Sequence, residues 1–199
     1  MKKKYVVALC GASGSIYGIR LIKALVEASC QVMVVISDAG FEVLAHETEF
    51  QKSMDFREFL TSMGVACSDN SRLEVYRQDD GAAPPASGSF VHSGMVVAPC
   101  SMKTLADIST GSAGNLVTRS ADVTLKERRP LILLPRETPL SLIHLENMTR
   151  ACRAGAVIMP PSPSFYSFPR TMDQLADTVV ARVLDHLGVH HTLVRRWGQ

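Results

Sequence analysis

Tyr5-Val6-Val7-Ala8-Leu9-Cys10 runs directly into Gly11-Ala12-Ser13-Gly14-Ser15-Ile16-Tyr17-Gly18, and an apolar-periodic stretch opens at Ile19. The order is strand, glycine loop, helix. Such a loop leaves backbone N–H groups without intrahelical partners at the helix start, where the aligned peptide dipoles favour negative charge. The guest to expect is a phosphate or another anion, with Ser13 and Ser15 adding hydroxyl donors. The spacing, G-x-x-G-x-x-x-G, is neither the dinucleotide fingerprint nor the P-loop. A tight strand-to-helix turn with no ligand is the competing reading, because α/β folds need such turns in any case.

Outward from this loop, apolar runs alternate with helical patterns. Strands are expected at 5–10, 31–36, 94–98, 130–134 and 156–159, with a weaker one at 72–76. The strong runs are apolar throughout rather than alternating, so both sheet faces should be covered. Helices are expected at 15–29, 39–46, 55–63, 102–109, 115–128, 139–154 and 171–187. Strands alternating with helices imply right-handed crossovers and a parallel α/β sheet, with ligands beyond the carboxyl ends of its strands. Thr138 is placed to cap a helix beginning at Pro139 and ended by Gly155. Thr171 with Gln174 reads as a capping box, and Gly188 as the glycine that ends that helix. No repeat or linker divides the chain, so one domain is expected over 1–199, with 188–199 as a C-terminal tail.

Composition narrows the function classes. Apolar residues make up 46% of the 199, enough for a buried core. No run approaches the ~20 apolar residues that a membrane-spanning helix needs. Met1-Lys2-Lys3-Lys4 is basic, but the apolar run after it is short and enters the glycine loop, which argues for a first strand rather than a signal peptide, and so for a cytoplasmic protein. The five cysteines (Cys10, Cys30, Cys67, Cys100 and Cys152) form no C-x-x-C pair and no zinc spacing with histidine. Reduced thiols and no metal are expected. A net charge of +2 argues against an obligate nucleic-acid binder.

Further polar clusters fall where chemistry is expected. Pro99-Cys100-Ser101-Met102-Lys103-Thr104 follows a strand; Ser101 and Thr104 suit an anion or a flavin edge, or simply a helix cap. Arg119 and Lys126 share a helix face with Arg129 beyond, for which a solvated, charge-laced helix end is the ordinary explanation. Arg136-Glu137 lies at the carboxyl end of a strand: either a surface pair of little energetic value, or a phosphate-binding cation beside a proton donor. Arg182 sits at the edge of the stripe Leu175, Val179, Val183 and Leu187, where a partly buried guanidinium needs an anionic partner, an acidic side chain or a substrate phosphate. His46-Glu47 at a helix end reads as surface on spacing alone.

Together these segments resemble the UbiX/Pad1-type flavin prenyltransferases, a family once named for aromatic-acid decarboxylation. The resemblance rests on Gly-Ala-Ser-Gly-Ser-Ile-Tyr-Gly at 11–18, Pro-Cys-Ser-Met-Lys-Thr at 99–104 and Ala-Asp-Val-Thr-Leu-Lys-Glu-Arg-Arg-Pro-Leu at 121–131. It continues through Pro-Arg-Glu-Thr-Pro-Leu at 135–140, His-Leu-Glu-Asn-Met at 144–148, Gly-Ala-Val-Ile-Met-Pro at 155–160 and Phe-Tyr at 165–166. It implies a three-layer αβα sandwich, flavodoxin-like or Rossmann-like, that binds FMN. It also implies metal-independent transfer of a dimethylallyl group from dimethylallyl monophosphate to N5 and C6 of reduced FMN. The prenylated FMN serves a UbiD-type decarboxylase, and the family forms dodecamers with active sites at subunit interfaces.

Carried over by position, the resemblance assigns Gly11, Ala12, Ser13, Ser37, Ser101, Met102, Lys103, Thr104 and Arg119 to flavin binding. It assigns Ser87, Gly88, Lys126, Arg136, Tyr166 and Arg182 to the prenyl phosphate. Ser13 and Glu47 match a pair that handles protons around flavin N5, and Glu137 the acid that protonates the departing phosphate. Gly81 departs from members with an aromatic residue near that position, leaving that wall open, and Trp197 falls in the tail, as a pocket wall or an interface contact. Two other readings compete: a flavin-dependent decarboxylase of cysteine-type substrates, against which Lys103 stands where that family carries Asn, and a non-catalytic FMN carrier, which would leave Lys126, Arg136, Glu137 and Arg182 unexplained.

Overall fold

The computed structural model describes residues 3–65, 72–196 and 198. Cys67 and Trp197 lie outside them. Six parallel strands, β1 (Lys4–Leu9), β2 (Gln31–Ile36), β3 (Leu73–Arg77), β4 (Gly94–Cys100), β5 (Leu131–Pro135) and β6 (Val157–Ile158), form one sheet in the order 3-2-1-4-5-6. Of the two doubly wound orders, this is the Rossmann one, and it reverses direction between β1 and β4.

Side-chain alternation sorts the core into two layers. Tyr5, Val7, Leu9, Val34 and Ile36 face a cluster completed by α1 (Ser15–Glu27), α2 (Asp38–Glu47), α3 (Phe56–Ser62) and α7 (Met172–Leu187). Val6, Ala8, Val35, Val97 and Leu133 face the other, closed by α4 (Met102–Thr110), α5 (Leu116–Lys126) and α6 (Leu142–Arg153). Burial on both faces is what the continuous apolar runs require, and it completes the three-layer sandwich. Val189 and Leu193 of the tail pack against the first cluster.

Two glycines of the opening loop act by different means. Gly14 has φ +111°, in the left-handed region, and turns the chain into α1. Gly18 lies on α1 where a Cβ would run into the Ala98 carbonyl, so its absence lets the helix settle on β4. On the far side of α1, Arg20 donates to Asp177 at 2.8 and 2.5 Å and to Asp173 at 3.1 Å, tying α1 to α7 through a largely buried ion pair.

Three local expectations need correction. The helix expected from 139 begins at Leu142, because Ser141 rather than Thr138 caps it in a reciprocal box with His144. Thr171 does cap α7, but the Gln174 side chain accepts from the Arg170 N–H, not from its own cap residue. The strand expected at 156–159 contracts to two residues, held on one side only by β5 and bounded by Gly155 at φ +108°.

Candidate active site

The carboxyl ends of β1, β2, β4 and β5 open on one edge of the sheet, around the β1/β4 reversal. β1 delivers Gly11–Ser13, β2 delivers Ser37, β4 delivers Ser101–Thr104 and β5 delivers Arg136 and Glu137. Ser37 caps α2 by accepting from Gly40 N–H at 2.9 Å, and Ser101 caps α4 by accepting from Thr104 N–H at 3.2 Å. The two hydroxyls of Ser101 and Thr104 lie 3.0 Å apart. Capping and ligand contact are compatible here, since a hydroxyl that accepts one hydrogen bond still has a proton to donate.

The anion expected at the start of α1 is Glu47. Its carboxylate accepts from Gly14 N–H at 2.9 and 3.0 Å and from Ser15 N–H at 2.8 Å, filling the helix terminus. Partial burial pushes the Glu47 carboxyl up, but hydrogen bonds from the Ser13 hydroxyl, the Ser15 and Gly14 amides and the Ser15 hydroxyl together outweigh it and hold its pKa below the usual value. Glu47 is thus an ionised partner of Ser13 rather than a stray surface residue. Arg136 closes the group from the other side, its Nε donating to the Ser13 carbonyl at 3.1 Å. Ser13, Glu47 and Arg136 line a cleft of about 600 Å³ with Tyr17, Arg20 and Met172. Glu137 is exposed, its Oε1 accepting from Thr138 N–H at 3.0 Å.

The remaining expected residues fall in two other places. Ser87, Gly88, Arg119 and Lys126 gather on the flank of α5. Arg119 donates to the Ala86 carbonyl at 3.1 Å, and Arg129 donates to the Phe90 and Gly88 carbonyls at 2.7 and 2.9 Å. The cations of this stretch are therefore not a simple solvated helix end: Arg119 on α5 and Arg129 just beyond it hold the 86–90 loop in place. Lys126 pairs with Glu127 at 2.5 Å beside Gly88, where a Cβ would meet its ammonium.

Tyr166 and Arg182 line a separate cleft of about 630 Å³ between α7 and the tail. Arg182 is exposed rather than partly buried, and its partner is acidic: NH1 donates to Asp185 at 2.7 Å. The apolar stripe of α7 faces inward without it, because position 182 lies just beyond the stripe's buried edge.

Sequence reading passed over Arg20 and Asp185. Only Asp185 left a local trace, standing three residues after Arg182 at helical pairing distance. Arg20 meets Asp177 across 157 positions, beyond any local pattern.

The gathered donors suit FMN. Hydroxyls from three strand ends with the Lys103 ammonium supply donors for a polar ring edge and a phosphate monoester, and Glu47 already occupies the start of α1.

The comparisons agree with this reading. The flavoprotein family model matches residues 1–184. The flavin prenyltransferase UbiX of Halalkalibacterium halodurans is 45% identical over 195 residues, covering 98% of this chain and 93% of that protein. Among solved structures, AnUbiX in complex with FMN and dimethylallyl pyrophosphate superposes with a TM-score of 0.89 at 40% identity, covering 100% of this chain and 99% of that one. A dodecameric FMN-dependent UbiX-like decarboxylase from Escherichia coli O157:H7 superposes with a TM-score of 0.85 at 41% identity, covering 98% and 100%. A family match over most of the chain and full-length relatives above 40% identity leave one assignment: this chain belongs to the flavoprotein family and, within it, to the UbiX-type flavin prenyltransferases.

Proposed function

We propose that this flavin prenyltransferase moves a dimethylallyl group from dimethylallyl monophosphate to N5 and C6 of reduced FMN, and that the prenylated FMN passes to a UbiD-type decarboxylase. The observation that carries the reading is the meeting of Ser13, Glu47 and Arg136 in one cleft at the topological switch point. Gly11, Ala12, Ser13, Ser37, Ser101, Met102, Lys103, Thr104 and Arg119 hold the flavin. When bound, reduced FMN supplies the electron-rich ring that captures the allylic carbon. Arg136, Lys126 and Arg182, with Ser87, Gly88 and Tyr166, take the phosphate and stabilise its growing charge as the C–O bond breaks. Glu137 gives a proton to the departing phosphate, and Ser13 with Glu47 holds a proton path at the flavin edge.

A phosphate site spread over three places needs a second copy to close it. Leu142, Ile143 and Leu145 stand exposed just beyond Arg136-Glu137, Met172 stands exposed on the cleft that Arg136 lines, and Phe165 and Phe168 stand exposed on either side of Tyr166. Apolar surface beside both favours a homo-oligomer, a dodecamer by analogy with the E. coli relative, in which a neighbouring copy covers the sites and excludes the water that would quench an allylic cation. The four described cysteines are free, three of them buried, which suits a cytoplasmic protein. Among the described residues no helix is long and apolar enough to cross a membrane.

Anaerobic incubation of the purified protein with reduced FMN and dimethylallyl monophosphate, followed by mass analysis of the extracted flavin, tests the reading. A gain of one C5 unit supports it. Unmodified FMN, with binding verified and the diphosphate and longer donors also tried, would return the chain to the carrier or decarboxylase readings.

A further inference from the structure

Behind Arg182, the end of α7 and the tail carry three polar residues that the proposed chemistry does not use: Asp185, His191 and Arg196. The Asp185 carboxylate is largely sheltered, with 21% of its side chain exposed, while Arg182 is 63% exposed and lines the 630 Å³ cleft. One oxygen, Oδ2, accepts from Arg182 at 2.7 Å. The other, Oδ1, accepts from the tail: Arg196 at 2.8 Å and the Nε2 of His191 at 3.2 Å. His191 is itself buried, 6% exposed, and its Nδ1 finds no hydrogen-bond partner among the described residues. The bond between Nε2 and Asp185 is the one that orients the ring.

Both oxygens of one carboxylate are thus committed, one to the tail and one to Arg182. We infer that Asp185 is a positioning residue for the prenyl-phosphate site: anchored by His191 and Arg196, it fixes one edge of the Arg182 guanidinium and leaves the remaining N–H donors for the phosphate in the cleft. This rests on the reading of Arg182 as a phosphate ligand. A guanidinium has five donors in a rigid fork, so holding one of them fixes the plane of the others without spending them. The carboxylate does not repel the substrate from the cleft, because Arg182 and Arg196, which both pair with it, outnumber it there. Without Asp185 the long Arg182 side chain would have to be ordered by the substrate itself, which weakens binding.

The test is a mutant cycle on the assembled enzyme, reading KM for dimethylallyl monophosphate, kcat and FMN affinity. Arg182→Ala and Asp185→Ala should each raise KM about tenfold with FMN affinity unaltered, and kcat should fall to the same extent in both, since Arg182 also stabilises the departing phosphate. Asp185→Ala should add nothing in the Arg182→Ala background. Arg196→Ala, an exposed change that leaves the core intact, should raise KM about threefold in the parent and not at all without Arg182. If Arg182→Ala raises KM while Asp185→Ala and Arg196→Ala do not, or if their effects add fully to it, the positioning role is overturned and Arg182 stands as a phosphate ligand alone. If Arg182→Ala leaves KM unchanged, the placement of the phosphate fails, and this inference with it.

Discussion

The residues proposed to hold the flavin and those proposed to hold the phosphate are set in this protein in different ways. Ser13, Ser37 and Ser101 come from the ends of three strands of one sheet, and the same backbone that forms the fold sets them side by side. Lys126, Arg136 and Arg182 come from a helix flank, a strand end and a helix near the tail, and within one chain they face three separate regions. On the proposed function, the first set needs only the fold, whereas the second needs the fold and a neighbour. Function that depends on a scaffold alone should survive dissociation, and function that depends on an interface should not.

Charging the exposed face of α6 gives the largest expected effect. In Leu142→Asp/Ile143→Asp, size-exclusion chromatography should show a smaller species, and prenyl transfer should fall by at least about 100-fold while the sheet stays folded by circular dichroism. A small species that turns over at the parent rate would erase the contrast between the two sides. Next in size, Glu137→Gln should slow prenyl transfer by about 10²–10³-fold, within the range for loss of a general acid, with FMN affinity retained. Unchanged single-turnover rates would remove Glu137 from the chemistry.

On the scaffold side, Gly18→Ala should destabilise the protein by about 2 kcal/mol in urea denaturation, since the added methyl meets the rigid Ala98 carbonyl rather than a movable side chain. Stability within error of the parent would mean that α1 shifts on the sheet freely. The smallest effect is at Glu47. Its pKa is lowered in the folded chain, so its contribution is complete above the ordinary glutamate pKa and is lost as pH falls through the lowered value. Glu47→Gln should therefore cost about 0.5 kcal/mol at pH 7 and nothing near pH 2, measured by chemical denaturation at both pH values. An equal cost at both would assign the effect to packing instead of charge.

How far each side was legible in the sequence follows the same division. β1, β2, β4 and β5 could be read because strands buried on both faces must be apolar at every position, and Val6–Leu9 or Val32–Ile36 have no other use for such a run. The hydroxyls at their ends could be read because a strand end followed by a helix start is a local event. The start of α6 was misread because two plausible caps, Thr138 and Ser141, stand three residues apart, and only the box with His144 separates them. The flavin and phosphate roles came from family likeness rather than from spacing, and the structure adds what neither carried. That Glu47 fills the terminus of α1 is a contact across 33 positions, and that Arg182 is exposed depends on where the edge of a helix face falls.

The carboxylate seated on α1 has a bearing on which nucleotides this fold admits. In Rossmann enzymes with the same strand order, the turn after β1 receives the pyrophosphate that links two nucleosides. Here Glu47 lies on those amides as a permanent internal counter-ion, and a pyrophosphate arriving there would have to displace it and then face its charge. A nicotinamide or adenine dinucleotide should therefore be disfavoured at this turn, where Glu47 already takes the Gly14 and Ser15 amides. Selection of this kind would work by repulsion, through a charge the chain supplies to itself, and not through an added contact to the correct flavin.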